Sequence, residues 1–354
     1  MHFDLTEDQK EIKRVAHELL AARSSWERVR AAAEGAEYDQ ALWDELCSLG
    51  WPGIAVAEEH GGQGLGAVEL AVLLEELGYA CAASPFLSIA TAAAAIQACG
   101  SDAQRARWLP ALASGEATAG IGTRELCADG VGAAVLVLLD GDGVRLLDAA
   151  DADAAPLETI DPTRRYATIA AEAGAGEPLG GGAAGGSAGR ARAAGPSGAT
   201  DPAADRIRAA IAAEVVGVAQ RALELTLAYV KERRQFGVPV GAFQAVQNRC
   251  AQMLLDTESA RSTALYAAWA ADAAPERVPE AAALAAAAAA DAGRSVTASA
   301  IQAHGGIGFT WEADVHWLYK RAQLDAALLG GARRHRAALT ALAAERIAAG
   351  RTTH

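Results

Sequence analysis

From Asp205 almost to its last residue the chain reads as helix after helix, over roughly 205–234, 242–272, 278–303 and 313–348. Helices of about thirty residues that are apolar on several faces cannot satisfy themselves singly. They imply a bundle whose members also pack against another chain. Alanine, the strongest helix former, supplies most of the 52% hydrophobic content, while aromatic residues make up only 5%. The fold class is therefore mainly α.

Residues 1–118 also read as helices and form a first domain. Thr6 caps the first helix, with Gln9 as reciprocal partner in a capping box, and Ile12, Val15, Ala16, Leu19 and Leu20 follow at helical spacing. A second helix over Ala41–Leu49 stops at Gly50, Gly61–Gly66 is a flexible connector, and Ser101 marks a further N-cap.

The character changes over 119–204, read as a reduced middle β domain. Val131–Asp140 has a buried-strand pattern, and Gly141-Asp142-Gly143 is a hairpin turn into Val144–Asp148. Residues 180–202 are nearly all Gly, Ala, Ser and Pro and read as a long loop. The bundle domain is 205–354.

A net charge of −13 argues against nucleic acid as partner, because phosphate neutralisation needs clustered Lys and Arg. Cys47, Cys81, Cys99, Cys127 and Cys250 are scattered without metal-ligand spacing and read as free thiols of a reducing compartment. The N-terminus has no apolar core of a secretion signal, and Ala281–Ala290 is too short to span a bilayer. A soluble cytoplasmic protein is expected, with no membrane or metal.

Two bundle segments carry chemistry. Glu232-Arg233-Arg234-Gln235-Phe236-Gly237 closes one long helix, with Phe243-Gln244 opening the next. Gln302-Ala303-His304-Gly305-Gly306-Ile307-Gly308-Phe309 lies between two helices. A Gly-rich loop lets a diphosphate approach backbone N–H groups, and a nearby arginine adds a bidentate donor. Singly, each segment is equally a helix end and a tight turn; together they point to a diphosphate ligand.

With these motifs, and with FDLTEDQKEI, LGWPGIAVAEEHGGQGLG and LAVLLEELGYACAASPFL, the sequence resembles the acyl-CoA dehydrogenase family over Phe3–Leu112 and Ala210–Leu342. The resemblance implies an N-terminal helical domain, a small β domain and a C-terminal four-helix bundle that bind FAD at a subunit interface. It implies that Arg233 contacts the FAD pyrophosphate, with Gln235 and Phe236 beside it. Gln244, Gln302, Gly305 and Gly306 would contact the ADP portion of a flavin held mainly by the neighbouring subunit.

Desaturation of an acyl-CoA needs a base for the α-proton while a β-hydride passes to the flavin, and a desolvated carboxylate suits that task. The two positions where the family places its glutamate are occupied by Leu329 and Gln220. Glu224, Glu214 and Asp325 are nearby and read as solvated or salt-bridged helix residues. His304 reads as a helix-terminal hydrogen-bonding group, His316 is a minor candidate base, and Trp311 and Trp317 read as packing residues. The family's T-E-P-x-x-G-S-D segment is reduced to Gly120–Glu125, its W-I-T segment has no counterpart, and only a strand pair and Asp161–Arg165 keep order there.

These departures resemble α2β2 acyl-CoA dehydrogenases, in which two homologous subunits share one complete site. The resemblance implies a homologous partner carrying the glutamate, a bulky acyl-CoA such as a steroid side-chain thioester, and an electron-transferring flavoprotein-type acceptor. Two other readings are a homomeric enzyme with a displaced base such as Glu224, and a helical scaffold without catalysis.

Overall fold

The computed structural model describes residues 4–35, 37–140, 143–172, 174–180 and 201–348. The glycine-rich segment 181–200, and Gly141 and Asp142 of the expected hairpin turn, lie outside the described residues.

The N-terminal helices are α1 (Glu7–Arg23), α2 (Trp26–Gly35), α3 (Gln40–Ser48), α4 (Ala67–Tyr79), α5 (Phe86–Cys99) and α6 (Asp102–Ser114). The α1 capping box forms as the pattern predicts: Gln9 N–H donates to Thr6 Oγ1 (3.3 Å) and Thr6 N–H to Gln9 Oε1 (3.0 Å). Gly61–Gly66 is not a flexible connector. Its backbone folds back on the preceding turn, with Gln63 N–H on the Gly53 carbonyl (3.0 Å) and Gly64 N–H on that of Val56 (2.8 Å).

The middle of the chain is a fuller sheet than the expected strand pair. The strands are β1 (Ala119–Gly122), β2 (Cys127–Ala128), β3 (Val135–Asp140), β4 (Gly143–Asp148), β5 (Asp153–Pro156), β6 (Tyr166–Ala170) and β7 (Glu177–Pro178). Among the described residues they order as β5-β6-β2-β1-β3-β4-β7, with β1 and β3 parallel and the other pairs antiparallel. The alternation of side chains along β3 sends Val135 and Val137 into the main core and Leu136 and Leu138 into a second cluster with Ile169. Burial on both faces explains the uninterrupted apolar run.

The bundle comprises α7 (Pro202–Glu232), α8 (Gln244–Ala273), α9 (Val278–His304), α10 (Val315–Leu328) and α11 (Ala332–Ala348). The last helical stretch is two helices, because Gly330 and Gly331 both take positive φ (79° and 75°) and end α10. α7 is the central member and packs against α4, α5, α8, α9 and α10. At the α4–α7 crossing, glycine stands on each helix: a Cβ at Gly217 would collide with the Glu75 carbonyl, and one at Gly78 with that of Glu214. No helix among the described residues is long and apolar enough to cross a membrane.

Gly217→Ala is expected to destabilise the chain by about 2–3 kcal/mol, because neither backbone can yield without repacking the crossing. Urea unfolding checks this, and a loss of under ~0.5 kcal/mol would show that the crossing relaxes freely.

Candidate functional site

Three chain segments meet at one end of the bundle. α7 ends at Arg233, whose N–H bonds the Tyr229 carbonyl (2.8 Å). The chain then turns through a hairpin of β8 (Arg234–Gln235) and β9 (Val238–Pro239). Phe236 (φ 55°) and Gly237 (φ 84°) form its left-handed tip. α9 is held alongside: the His304 ring stacks on Tyr229 (4.4 Å), whose hydroxyl donates to the His304 carbonyl (3.2 Å). Arg249 near the start of α8 reaches Ser299 on α9 (3.4 Å).

This geometry brings all seven residues singled out by sequence to one end of the bundle. Arg233, Gln235, Phe236, Gln244, Gln302, Gly305 and Gly306 are all exposed, Phe236 at 93%. The Gln235 amide is tied back to the Arg234 carbonyl (2.7 Å). Gln244 opens α8, and the N-cap Phe243 offers no capping side chain, so the positive end of a thirty-residue helix is left without one.

The glycines divide by role. A Cβ at Gly306 or Gly305 would meet nothing within 4 Å, whereas one at Gly308 would strike the Ile301 carbonyl (2.6 Å). Gly308 is there for packing, while Gly305 and Gly306 keep a surface clear. An arginine, an uncapped helix start and an open glycine turn fit the diphosphate half of a dinucleotide. His304 is structural: its Nδ1 bonds the Ala300 carbonyl (2.7 Å), and burial lowers its pKa.

The two expected base positions lie in different surroundings. Leu329, 2% exposed, belongs to the apolar core, and its carbonyl accepts from buried His335 (2.6 Å). Gln220 donates to Glu224 (2.7 Å) and accepts from Arg261 of α8 (2.8 Å). Glu224 also accepts from the Tyr79 hydroxyl, which in turn accepts from Arg221 (3.0 Å). Glu224 is thus a member of a network joining α4, α7 and α8.

Glu214 and Asp325, read as solvated or salt-bridged, are salt-bridged but wholly buried. Arg164, on the loop between β5 and β6, bonds Glu214 (2.5 Å) and Asp325 (2.8 Å). Arg321 of α10 bonds Asp161 (2.8 Å), Glu214 (3.2 Å) and the Thr163 hydroxyl (2.6 Å). Two guanidiniums thus face three carboxylates out of water. Glu214 Oε2 and Asp325 Oδ2 have no donor. Burial first, and repulsion from Glu214 second, push the Asp325 pKa up to about 8. Sequence reasoning missed the two arginines. The available signal was Arg321 and Asp325 one turn apart on α10.

Trp317 packs in the core as expected, but Trp311 does not, being 70% exposed. Two surface cavities lie away from the bundle end. One of about 680 Å³ lies between α8, α9 and α10 beside Asp256, Arg294 and Tyr319. The other, about 170 Å³, is lined by small residues of α4, α5, α7 and α8.

A helical N-terminal region, a mixed sheet and an antiparallel bundle make up an acyl-CoA dehydrogenase-type fold. The chain belongs to the acyl-CoA dehydrogenase family: residues 6–116 match its N-terminal domain and residues 201–349 its C-terminal domain. It is 34% identical over 339 residues to acyl-CoA dehydrogenase IpdE2 of Mycobacterium tuberculosis, covering 91% of this chain and 93% of that one. The Mycolicibacterium smegmatis IpdE2 is 35% identical over 332 residues, covering 92% and 96%. Among solved structures, a variant of the Tcur3481-Tcur3483 steroid ACAD superposes with a TM-score of 0.81 at 29% identity, covering 97% of this chain and 99% of that one.

The Asp325 carboxyl, ordinarily near 3.8 and raised to about 8 here, holds its proton more tightly folded than unfolded. Its contribution to stability is full below the ordinary value and is lost as pH rises through about 8. Asp205, raised to about 7 chiefly by burial, adds in the same direction. The melting temperature is expected to fall from about pH 6 to about pH 9, and Asp325→Asn to flatten that fall; an equally steep fall in the variant would refute the assignment.

Proposed function

We propose that this chain is one subunit of a heteromeric, FAD-dependent acyl-CoA dehydrogenase, in an α2β2 assembly with a homologous partner that carries the catalytic glutamate. The observation that carries this reading is a contrast. The seven candidate cofactor residues face outward, while the base position Leu329 is sealed in the core. In this reading 1–118 is the N-terminal domain, 119–204 the middle domain and 205–354 the bundle domain.

FAD, when bound, would supply the hydride acceptor for the β-carbon of the acyl thioester. This chain's part is to hold the cofactor. The Arg233 guanidinium would offset the diphosphate charge, and the start of α8 would offer backbone N–H groups with Gln244 beside them. Gly305 and Gly306 admit close approach, and Gln302, Gln235 and Phe236 border the same surface. The α-proton passes to the partner's carboxylate, because neither Leu329 nor Gln220 can accept it. The likeness to a steroid ACAD supports a bulky steroid-derived CoA thioester as substrate. An electron-transferring flavoprotein-type acceptor fits the family chemistry.

Expressed alone, the chain is expected to be colourless. Co-expressed with a family member that keeps its glutamate, it should purify with flavin absorbance and dehydrogenase activity. A yellow, active homo-oligomer of this chain would overturn the heteromer and favour Glu224 as a displaced base. In the assembled pair, Arg233→Ala should weaken FAD retention about tenfold or more while leaving the subunits associated. Unchanged retention would remove Arg233 from the pyrophosphate role.

A further inference from the structure

The loop after the glycine turn carries Trp311 and leads into α10, and Arg30 of α2 pins it through Asp314 (2.5 Å). Trp311, His316 and Trp317 form a ring cluster, with centroids 5.1 Å apart for Trp311–His316 and 4.3 Å for His316–Trp317. The Lys320 ammonium lies 4.3 Å from the Trp311 centroid and 4.5 Å from that of Trp317.

The cluster is unfinished within this chain. His316 is 8% exposed, yet among the described residues neither of its ring nitrogens has a hydrogen-bond partner, and neither does the buried Trp317 indole N–H. Buried polar groups are normally paired, since an unmet donor costs its full desolvation. Lys320 has no carboxylate within salt-bridge distance among the described residues, although acidic residues outnumber basic ones 44 to 31 in the chain. The unmet groups are mainly donors beside a cation that has no ion pair among the described residues, so the complementary ligand is an anionic acceptor. Trp311 is 70% exposed, and two residues before it Phe309 is 80% exposed. This surface runs on from the exposed glycine turn where the partner subunit is expected.

We propose that the Trp311–His316–Trp317–Lys320 cage is a docking site for a carboxylate side chain of the homologous partner subunit, with Trp311 as the anchor of that contact. The proposal rests on the heteromeric reading. Lys320 meets the incoming charge at a surface the partner desolvates, beside the unmet indole and imidazole groups.

The test is to co-express the chain with each family member of its own genome that keeps the glutamate, and to measure association of the wild-type pair by analytical ultracentrifugation. Lys320→Glu and Trp311→Ala should each weaken association about tenfold or more, and Lys320→Arg should stay within about threefold of wild type. Lys320→Met keeps the aliphatic stem over the rings. It should weaken association without changing the melting temperature of the chain alone, which separates charge from packing. If Lys320→Glu, Lys320→Met and Trp311→Ala pair as tightly as wild type, the docking site is overturned and the heteromer stands. Loss of flavin from these variants with association intact also overturns it, because the cage would then serve the cofactor. If the wild-type chain pairs with no family member, both readings fall together.

Discussion

Arg164 and Arg321 hold the sheet to the bundle. Arg164 stands on the loop between β5 and β6, and its two carboxylate partners stand on α7 and α10. Arg321 ties α10 back to Asp161 and Thr163 of that same loop. Such a cluster is a weak source of net stability, because two guanidiniums and three carboxylates must leave water together. Its geometry is specific, however, and removing one member would strand charge in a place without solvent. Few other arrangements of loop, α7 and α10 would bring all five groups together.

The cluster also bears on why Leu329 is a leucine. Asp325 lies one turn before it on α10, and the Leu329 N–H bonds the Asp325 carbonyl (2.9 Å). The neighbourhood already carries one carboxylate more than its guanidiniums balance, and Asp325 accommodates the excess by holding a proton. A glutamate at 329 would add a further acid beside a group that cannot tolerate another negative charge. The chain's interior around Leu329 is thus organised for cohesion.

What could be read from sequence follows the range of the interactions. The capping box of Thr6 and Gln9 spans three residues, and the long helices announce themselves by period; both form as read, except that the last stretch, 313–348, is two helices. The seven cofactor candidates fall together because short motifs at helix ends fix their local geometry, and antiparallel packing of α7, α8 and α9 does the rest. The sheet was legible only as a strand pair, since β2 and β7 are two residues each and pair with strands distant in sequence. Arg164 and Asp325 are 161 residues apart, and no local pattern joins them. The end of α10 at Gly330-Gly331 was hidden by apolar residues that continue helical spacing on both sides of the break.

The distribution of large side chains completes the argument. Alanines fill the interior of α9 and much of α7, so these helices approach closely and leave little room for rings. The chain has five phenylalanines, and three of them, Phe236, Phe243 and Phe309, are exposed at the same end of the bundle. Trp311 joins them there. Leaving this much aromatic surface in water forgoes roughly 25 cal/mol for every Å² that burial would remove. In a chain with so few aromatics, that placement has no packing rationale within the fold. It becomes favourable once a second subunit covers the bundle end. The exposed rings and the exposed candidate cofactor residues therefore form one surface, which the proposed partner would complete.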